Sequence, residues 1–184
     1  MDLEQWKARA RQTRPGEEGE LVTELAEELE QARAGGLGPA EEYQALWVLL
    51  PLARRAGQLV RLRRDVERAS VLASDRPDPE ILALASLRAD VEQAEGRYQD
   101  AEATLRRALK RTADLDPSRK AAVLLKLGRL LVRRERYDQA RVLLESVLPV
   151  LEAGGEPGQA ATCLFHLGNL ATWEHRLGQA LELH

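Results

Sequence analysis

Cys163 and His166 stand three residues apart, a spacing at which a helix presents two side chains to one metal edge. A metal centre needs further ligands, and no second pair supplies them. The other histidines, His175 and His184, follow at steps of nine residues. Nine residues turn a helix by roughly 180°, so neighbouring histidines do not share a face. A buried cysteine beside a packed histidine is the expected reading. No phosphate-cradling G-x-x-x-x-G-K-[ST], no G-x-S-x-G elbow and no H-E-x-x-H occurs. Gly35-Gly36 and Gly154-Gly155 read as loop glycines, and Glu27/Glu28 as a solvated carboxylate pair. We therefore expect no catalytic residue, no metal and no cofactor. The chemistry that remains is recognition. Arg129 and Arg133 are four apart, share a helix face and make a fork suited to a carboxylate. Phe165 and Trp173 are eight apart and also share a face, and an exposed tryptophan is a typical interface anchor.

These side chains need helices to position them, and the composition supplies helices. The chain has 184 residues, 44% hydrophobic and 31% charged, which describes a globular chain able to bury a core. Leu, Ala, Glu and Arg dominate, all strong helix formers. Aromatic residues are only 4%, and β-branched residues are sparse, so strands have little to be made from. The expected class is all-α. A net charge of −3 argues against nucleic-acid binding by counterion release. The charge is uneven, because Arg54, Arg55, Arg61, Arg63, Arg64 and Arg68 crowd one short stretch with only Asp65 and Glu67 between them. The one cysteine excludes an intrachain disulfide. The start, MDLEQWKARARQTRP, lacks the apolar centre of a signal peptide, and no apolar run is long enough to span a membrane. A cytoplasmic location is expected, and the preference for Arg over Lys, with much Ala and Leu, hints at a bacterial source.

The chain repeats itself. LGRLLVRRERYDQA at 127–140 returns as LGNLATWEHRLGQA at 167–180, with six of fourteen positions identical. Leu127, Gly128 and Ala140 each recur 40 residues on, at Leu167, Gly168 and Ala180. Tyr98 and Ala101 precede Tyr137 and Ala140 by 39, and Gly57, Leu59 and Leu62 precede Gly96, Tyr98 and Ala101 by 39. Each copy reads as two helices. In the third, Val123, Leu124, Leu127, Leu130 and Leu131 make one apolar stripe, and Ala140, Leu143, Leu144, Val147 and Leu148 make the next. The polar interval Arg134–Arg136 reads as the turn between them. Asp78-Pro79 and Asp116-Pro117 read as helix starts, and Gly57, Gly96 and Gly154-Gly155 as helix ends. Gly128 and Gly168 are expected to let the second helix approach closely, with Ala101, Ala140 and Ala180 reciprocating. Tyr98, Tyr137 and Leu177 are expected to cover the turns. Pro51 and Pro149 sit inside helical patterns and are expected to kink or shorten their helices.

The Leu-Gly pair, the closed turn, the aromatic after it and the alanine three residues later resemble the tetratricopeptide-repeat family. The resemblance covers about 41–184, best at 127–140. The period of 39–40 residues resembles the longer-helix branch of that family, as in bacterial regulators and kinesin-light-chain-like scaffolds. It implies an all-α, right-handed α-solenoid of stacked antiparallel helix pairs. Residues 39–184 form the array, with copies near 39–78, 79–117, 118–156 and a partial copy at 157–184. Residues 1–38, with the acidic amphipathic helix 21–34, read as an N-terminal cap or a decayed repeat. The last copy stops at His184, just into its second helix, so a fragment, or an end covered by another molecule, is expected.

The resemblance further implies a concave groove lined by the first helix of each pair, which takes a segment of a partner protein. Carried onto this sequence, its lining positions are Leu125, Arg129, Val132 and Arg133 in the third copy, and Phe165, Asn169, Thr172 and Trp173 in the fourth. Ala85, Ala89, Glu92 and Gln93 follow from the second copy, and Trp47, Arg54 and Arg55 from the first. The family's full carboxylate clamp is incomplete here, because Trp47 and Pro51 occupy its first-copy positions. The expected function is a non-enzymatic protein-interaction scaffold for a protein or peptide segment, acidic in the reading of Arg129 and Arg133. Neither nucleic acid nor membrane is expected as a partner. A sensor module of a larger regulator, and a homodimer through the C-terminal end, are the alternatives.

Overall fold

The computed structural model describes residues 2–73 and 78–182, and the side chains of these except 78, 79 and 174–182. Among the described residues there are nine α-helices and no strand. They are α1 (Leu3–Gln12), α2 (Glu18–Ala34), α3 (Pro39–Arg55), α4 (Leu59–Leu72), α5 (Asp78–Ala94), α6 (Tyr98–Arg111), α7 (Pro117–Arg133), α8 (Tyr137–Ala153) and α9 (Pro157–Glu182). The fold is all-α and of the solenoid type. Within each unit, successive helices pack on one another. The chain divides into two compact units, 1–96 and 97–184. His184 lies outside the described residues, as do the side chains of Asp78, Pro79, His175, Leu177 and Ala180.

In the N-terminal unit, α1 to α5 share one core. Trp6, Leu25, Leu29, Tyr43, Leu46 and Leu49 are among its largest members, each at most 2% exposed. Trp6 is buried although α1 is short and polar, and its indole N–H donates to Glu28 at 2.7 Å. Asp2 starts that helix by accepting from the backbone N–H groups of Glu4 and Gln5. Glu42 ties three helices together. Its carboxylate accepts from Arg68 on α4 at 2.8 and 2.5 Å and from Arg33 on α2 at 2.9 Å. Those donors, Arg68 foremost, hold the Glu42 carboxyl below its ordinary value although burial pushes it up.

In the C-terminal unit, α6 to α9 follow the same plan. Asp116 caps α7 through the Ser118 backbone N–H, and Pro117 takes the first helical position, where no amide donor is needed. Gly128 does what its place in the repeat implies. A Cβ there would lie 2.6 Å from Leu144 Cδ2 and 2.8 Å from its Cγ, so α8 approaches to a distance only glycine permits. Ala101 and Ala140 are fully buried. Gly168 has no such neighbour: no heavy atom of the described residues lies within 4 Å of its would-be Cβ.

The turns share one backbone device. Residues 57, 96 and 135 have φ of 67°, 76° and 59°, the left-handed conformation that ends a helix. At 131–136 the Arg136 N–H reaches back to the Leu131 carbonyl at 2.9 Å, and at 53–58 Gln58 does the same to Ala53 at 3.0 Å. Two copies use glycine for this position and the third uses Glu135, whose Cβ makes the conformation costly. Glu135→Gly is expected to stabilise the chain by about 0.5 kcal/mol, the relieved strain less the added unfolded-state entropy of glycine. Urea denaturation followed by helicity measures it.

Two expectations are modified. α9 runs unbroken from Pro157 to Glu182, through the point where the earlier copies turn. The turn position there falls on His175, which carries a Cβ as Glu135 does, so that position alone does not separate the two copies. The charges that brace the previous turn are rearranged, with Glu174 in the place of Arg134. The interior prolines do not end their helices early. α3 continues four residues past Pro51 and α8 four residues past Pro149. Both prolines are exposed and one turn from the helix end.

Candidate functional site

In the C-terminal unit, α7 ends in a run of basic residues and α9 packs against it. Arg129 and Arg133 are both exposed on α7, as the four-residue spacing requires. Neither has an ion pair among the described residues. Other arginines of the unit are committed: Arg106, Arg134 and Arg136 all bind the Glu102 carboxylate. The Arg133 guanidinium lies over the Tyr98 ring, 5.7 Å from its centroid. Arg129 is close enough to His166 on α9 for its charge to matter. Burial first, and that charge second, push the His166 imidazole below its ordinary value.

α9 contributes the apolar part. Phe165 is 64% exposed and Trp173 56% exposed, with Asn169 also exposed between them. Trp173 stacks on Tyr137, their centroids 6.1 Å apart and planes 19° from parallel, and Phe165 meets His166 edge-on at 5.4 Å. The unit thus exposes two guanidinium groups on α7, neither with an ion pair among the described residues, and two large rings on α9. Arg129, Arg133, Phe165, Asn169 and Trp173 are open, and so is Thr172. Leu125 is not: it is 5% exposed and belongs to the core. Tyr98, Tyr137 and His166 support the face, a role that their positions beside the turns, or within α9, do not single out in the sequence.

The residues expected from the earlier copies lie in the N-terminal unit and are more occupied. Trp47 is half-buried against the core, edge-on to Tyr43 at 6.0 Å. Arg54 approaches Asp90 at 3.8 Å, and Arg55 approaches Glu18 at 3.4 Å. Ala89 is buried, Ala85 and Gln93 are partly so, and Glu92 is buried with Arg88 at 2.9 Å. Among the described residues, no group of three or more His, Cys, Asp or Glu could hold a metal ion. Cys163 is buried, and its thiol donates to the Leu144 carbonyl at 3.3 Å. Burial pushes the Cys163 thiol up, away from the thiolate form. No helix among the described residues is long and apolar enough to cross a membrane.

Helix pairs that stack at a period of 39–40 residues, joined by left-handed turns and a Gly–Leu contact, define an α-helical repeat protein. The family model for the tetratricopeptide repeat matches residues 80–153. That segment belongs to the tetratricopeptide-repeat superfamily, and the fold of the whole chain is of that type. A Podosopora anserina protein described as a kinesin light chain with nearly identical tetratricopeptide-like repeats has a similar structure. It is 18% identical with a TM-score of 0.71, over 98% of this chain and 88% of that one. A second structure of such repeats from the same organism is 19% identical with a TM-score of 0.70, over 98% and 89%. BtubC (BKLC) of P. vanneervenii is 18% identical with a TM-score of 0.62, over 92% and 78%. No curated protein sequence shows significant similarity. As a class, the repeat fold is that of a protein-interaction scaffold.

Proposed function

We propose that the chain is a non-enzymatic scaffold whose C-terminal unit binds an acidic segment of a partner protein. The face is the one carrying Arg129, Arg133, Phe165, Asn169 and Trp173. The supporting observation is that Arg129 and Arg133 are exposed on α7 without an ion pair among the described residues, and that α9, which packs on α7, exposes two aromatic rings. A carboxylate arriving there gains charge-assisted hydrogen bonds and displaces no internal partner. The rings supply the anchor that charges alone lack. Arg54 and Arg55, already close to carboxylates, contribute less.

Affinity capture with the chain, beside an Arg129→Ala, Arg133→Ala, Trp173→Ala variant of unchanged helicity, tests this reading. The partner so retained is then titrated against each variant. The double arginine change is expected to weaken binding by about 10- to 100-fold, and the loss should shrink in high salt. Unchanged affinity would refute the site.

A further inference from the structure

The stretch 157–173 contains no Asp, Glu, Lys or Arg, in a chain that is 31% charged. Such a helix segment belongs in an interior, yet much of α9 is open. Beyond Phe165 and Trp173 it exposes a separate stripe: Leu164 is 51% exposed, and Ala161, Gly168 and Ala171 are exposed with it. These four fall at steps of three, four and three residues, so they form one line along α9. The middle of that line lies roughly 80° around the helix from Phe165, 120° from Asn169 and 160° from Trp173.

The third copy shows what covers such a line. Forty residues earlier stand Ala121, Leu124, Gly128 and Leu131 on α7, and α8 packs on that helix with Leu144 against Gly128. The fourth copy has the same leucine and the same glycine, with no heavy atom of the described residues near Gly168.

The stripe is also complementary to itself. Reflected about position 166, Ala161 faces Ala171 and Leu164 faces Gly168. Two α9 helices set antiparallel about a two-fold axis therefore place each Leu164 in the gap above the partner's Gly168, twice over. The contact repeats the chemistry of Leu144 over Gly128, and the stripe itself carries no charge to desolvate. We infer that this chain forms an antiparallel homodimer through Leu164 and Gly168 of α9. One helix face per protomer is a small interface, so the affinity falls in the micromolar range.

Sedimentation equilibrium of the full chain tests this. A monomer–dimer equilibrium with Kd of about 10–100 µM is expected. Leu164→Glu brings a carboxylate onto the partner's Gly168 and should weaken it by at least about 100-fold. Because Leu164 is half-exposed, helicity should not change. Gln159→Ala, roughly 160° around α9 from the stripe, should leave Kd within about twofold. Mixed Ala161→Cys and Ala171→Cys variants should form the disulfide-linked heterodimer in preference to either homodimer. A monomer at the highest concentration, as when another helix covers the stripe, would overturn the inference. So would a dimer indifferent to Leu164→Glu, or one that crosslinks 161 to 161.

Discussion

Gly128→Val costs the C-terminal unit about 3 kcal/mol or more, while Gly168→Ala, at the matching position of the next copy, gains up to about 1 kcal/mol. The two glycines share the same Leu-Gly pair, so local sequence does not separate them. Packing does. The first Cβ atom at 128 would meet Leu144 Cδ2 at 2.6 Å and Cγ at 2.8 Å, both inside van der Waals contact. Leu144 is fully buried and has no open space to swing into, so α8 itself must move. Valine adds two more methyl groups to the same overlap. At 168 the would-be Cβ meets no described atom within 4 Å, and an alanine there removes only the conformational freedom that glycine has in the unfolded chain. Urea melts of both variants, at about 1 µM chain to stay below any self-association, give the two signs. Equal and opposite failure, with Gly128→Val tolerated and Gly168→Ala destabilising, would mean that α8 does not lie where the Gly128–Leu144 contact puts it.

That contrast also shows which parts of the molecule are legible in the sequence. The period, the helix class and the turn at Arg134–Arg136 follow from spacing alone, because helix periodicity and capping are local. Gly57 and Gly96 announce their turns through a conformation that glycine adopts freely, and the match of Tyr98 to Tyr137 carries the inference to Glu135, where no glycine marks it. The course of α9 is not legible in this way. Its sequence at 167–180 repeats that of 127–140, but whether a helix breaks depends on what packs against the broken half, which is a tertiary matter. The site divides similarly. Spacing puts Arg129 with Arg133 and Phe165 with Trp173, and the structure leaves all four exposed. Leu125 satisfies the same lining pattern and is buried, because the pattern carries no information about which way a boundary residue turns. The absence of charge from 157 to 173 was present in the sequence all along. It gains meaning only when the surface shows that the segment is half open.

Glu102→Ala is expected to cost the C-terminal unit about 2 kcal/mol, the other large effect. The carboxylate is 6% exposed on α6 and receives three guanidinium groups. Arg106 on its own helix binds at 2.7 Å, and Arg136, at the turn between α7 and α8, binds at 2.8 Å. Arg134, on the other side of Glu135, is its third partner. Two of the three therefore anchor the strained turn onto α6, and removing the carboxylate releases both at once. The cost stays below the 3–5 kcal/mol typical of a broken buried pair, because the arginines keep roughly a quarter to a half of their surface in water. The same geometry sets a pH dependence. Burial pushes the Glu102 carboxyl up, and the three arginines together pull it down further, so it lies below its ordinary value. A depressed carboxylate gives stability that is present above the unfolded value of about 4.3 and is lost as pH falls through the folded value. In the N-terminal unit Asp65 runs the other way. It is fully buried, and burial raises its carboxyl against the pull of Arg61, so its contribution is present below the unfolded value and lost as pH rises through the folded one. A whole-chain melt mixes the two signs. Hydrogen exchange of the α6, α7 and α8 amides separates them. In the parent chain their protection should fall between about pH 5 and pH 3, and in Glu102→Gln it should start lower and change less over that interval. An identical acid profile in both would show that the turn is held by its backbone hydrogen bonds and not by Glu102.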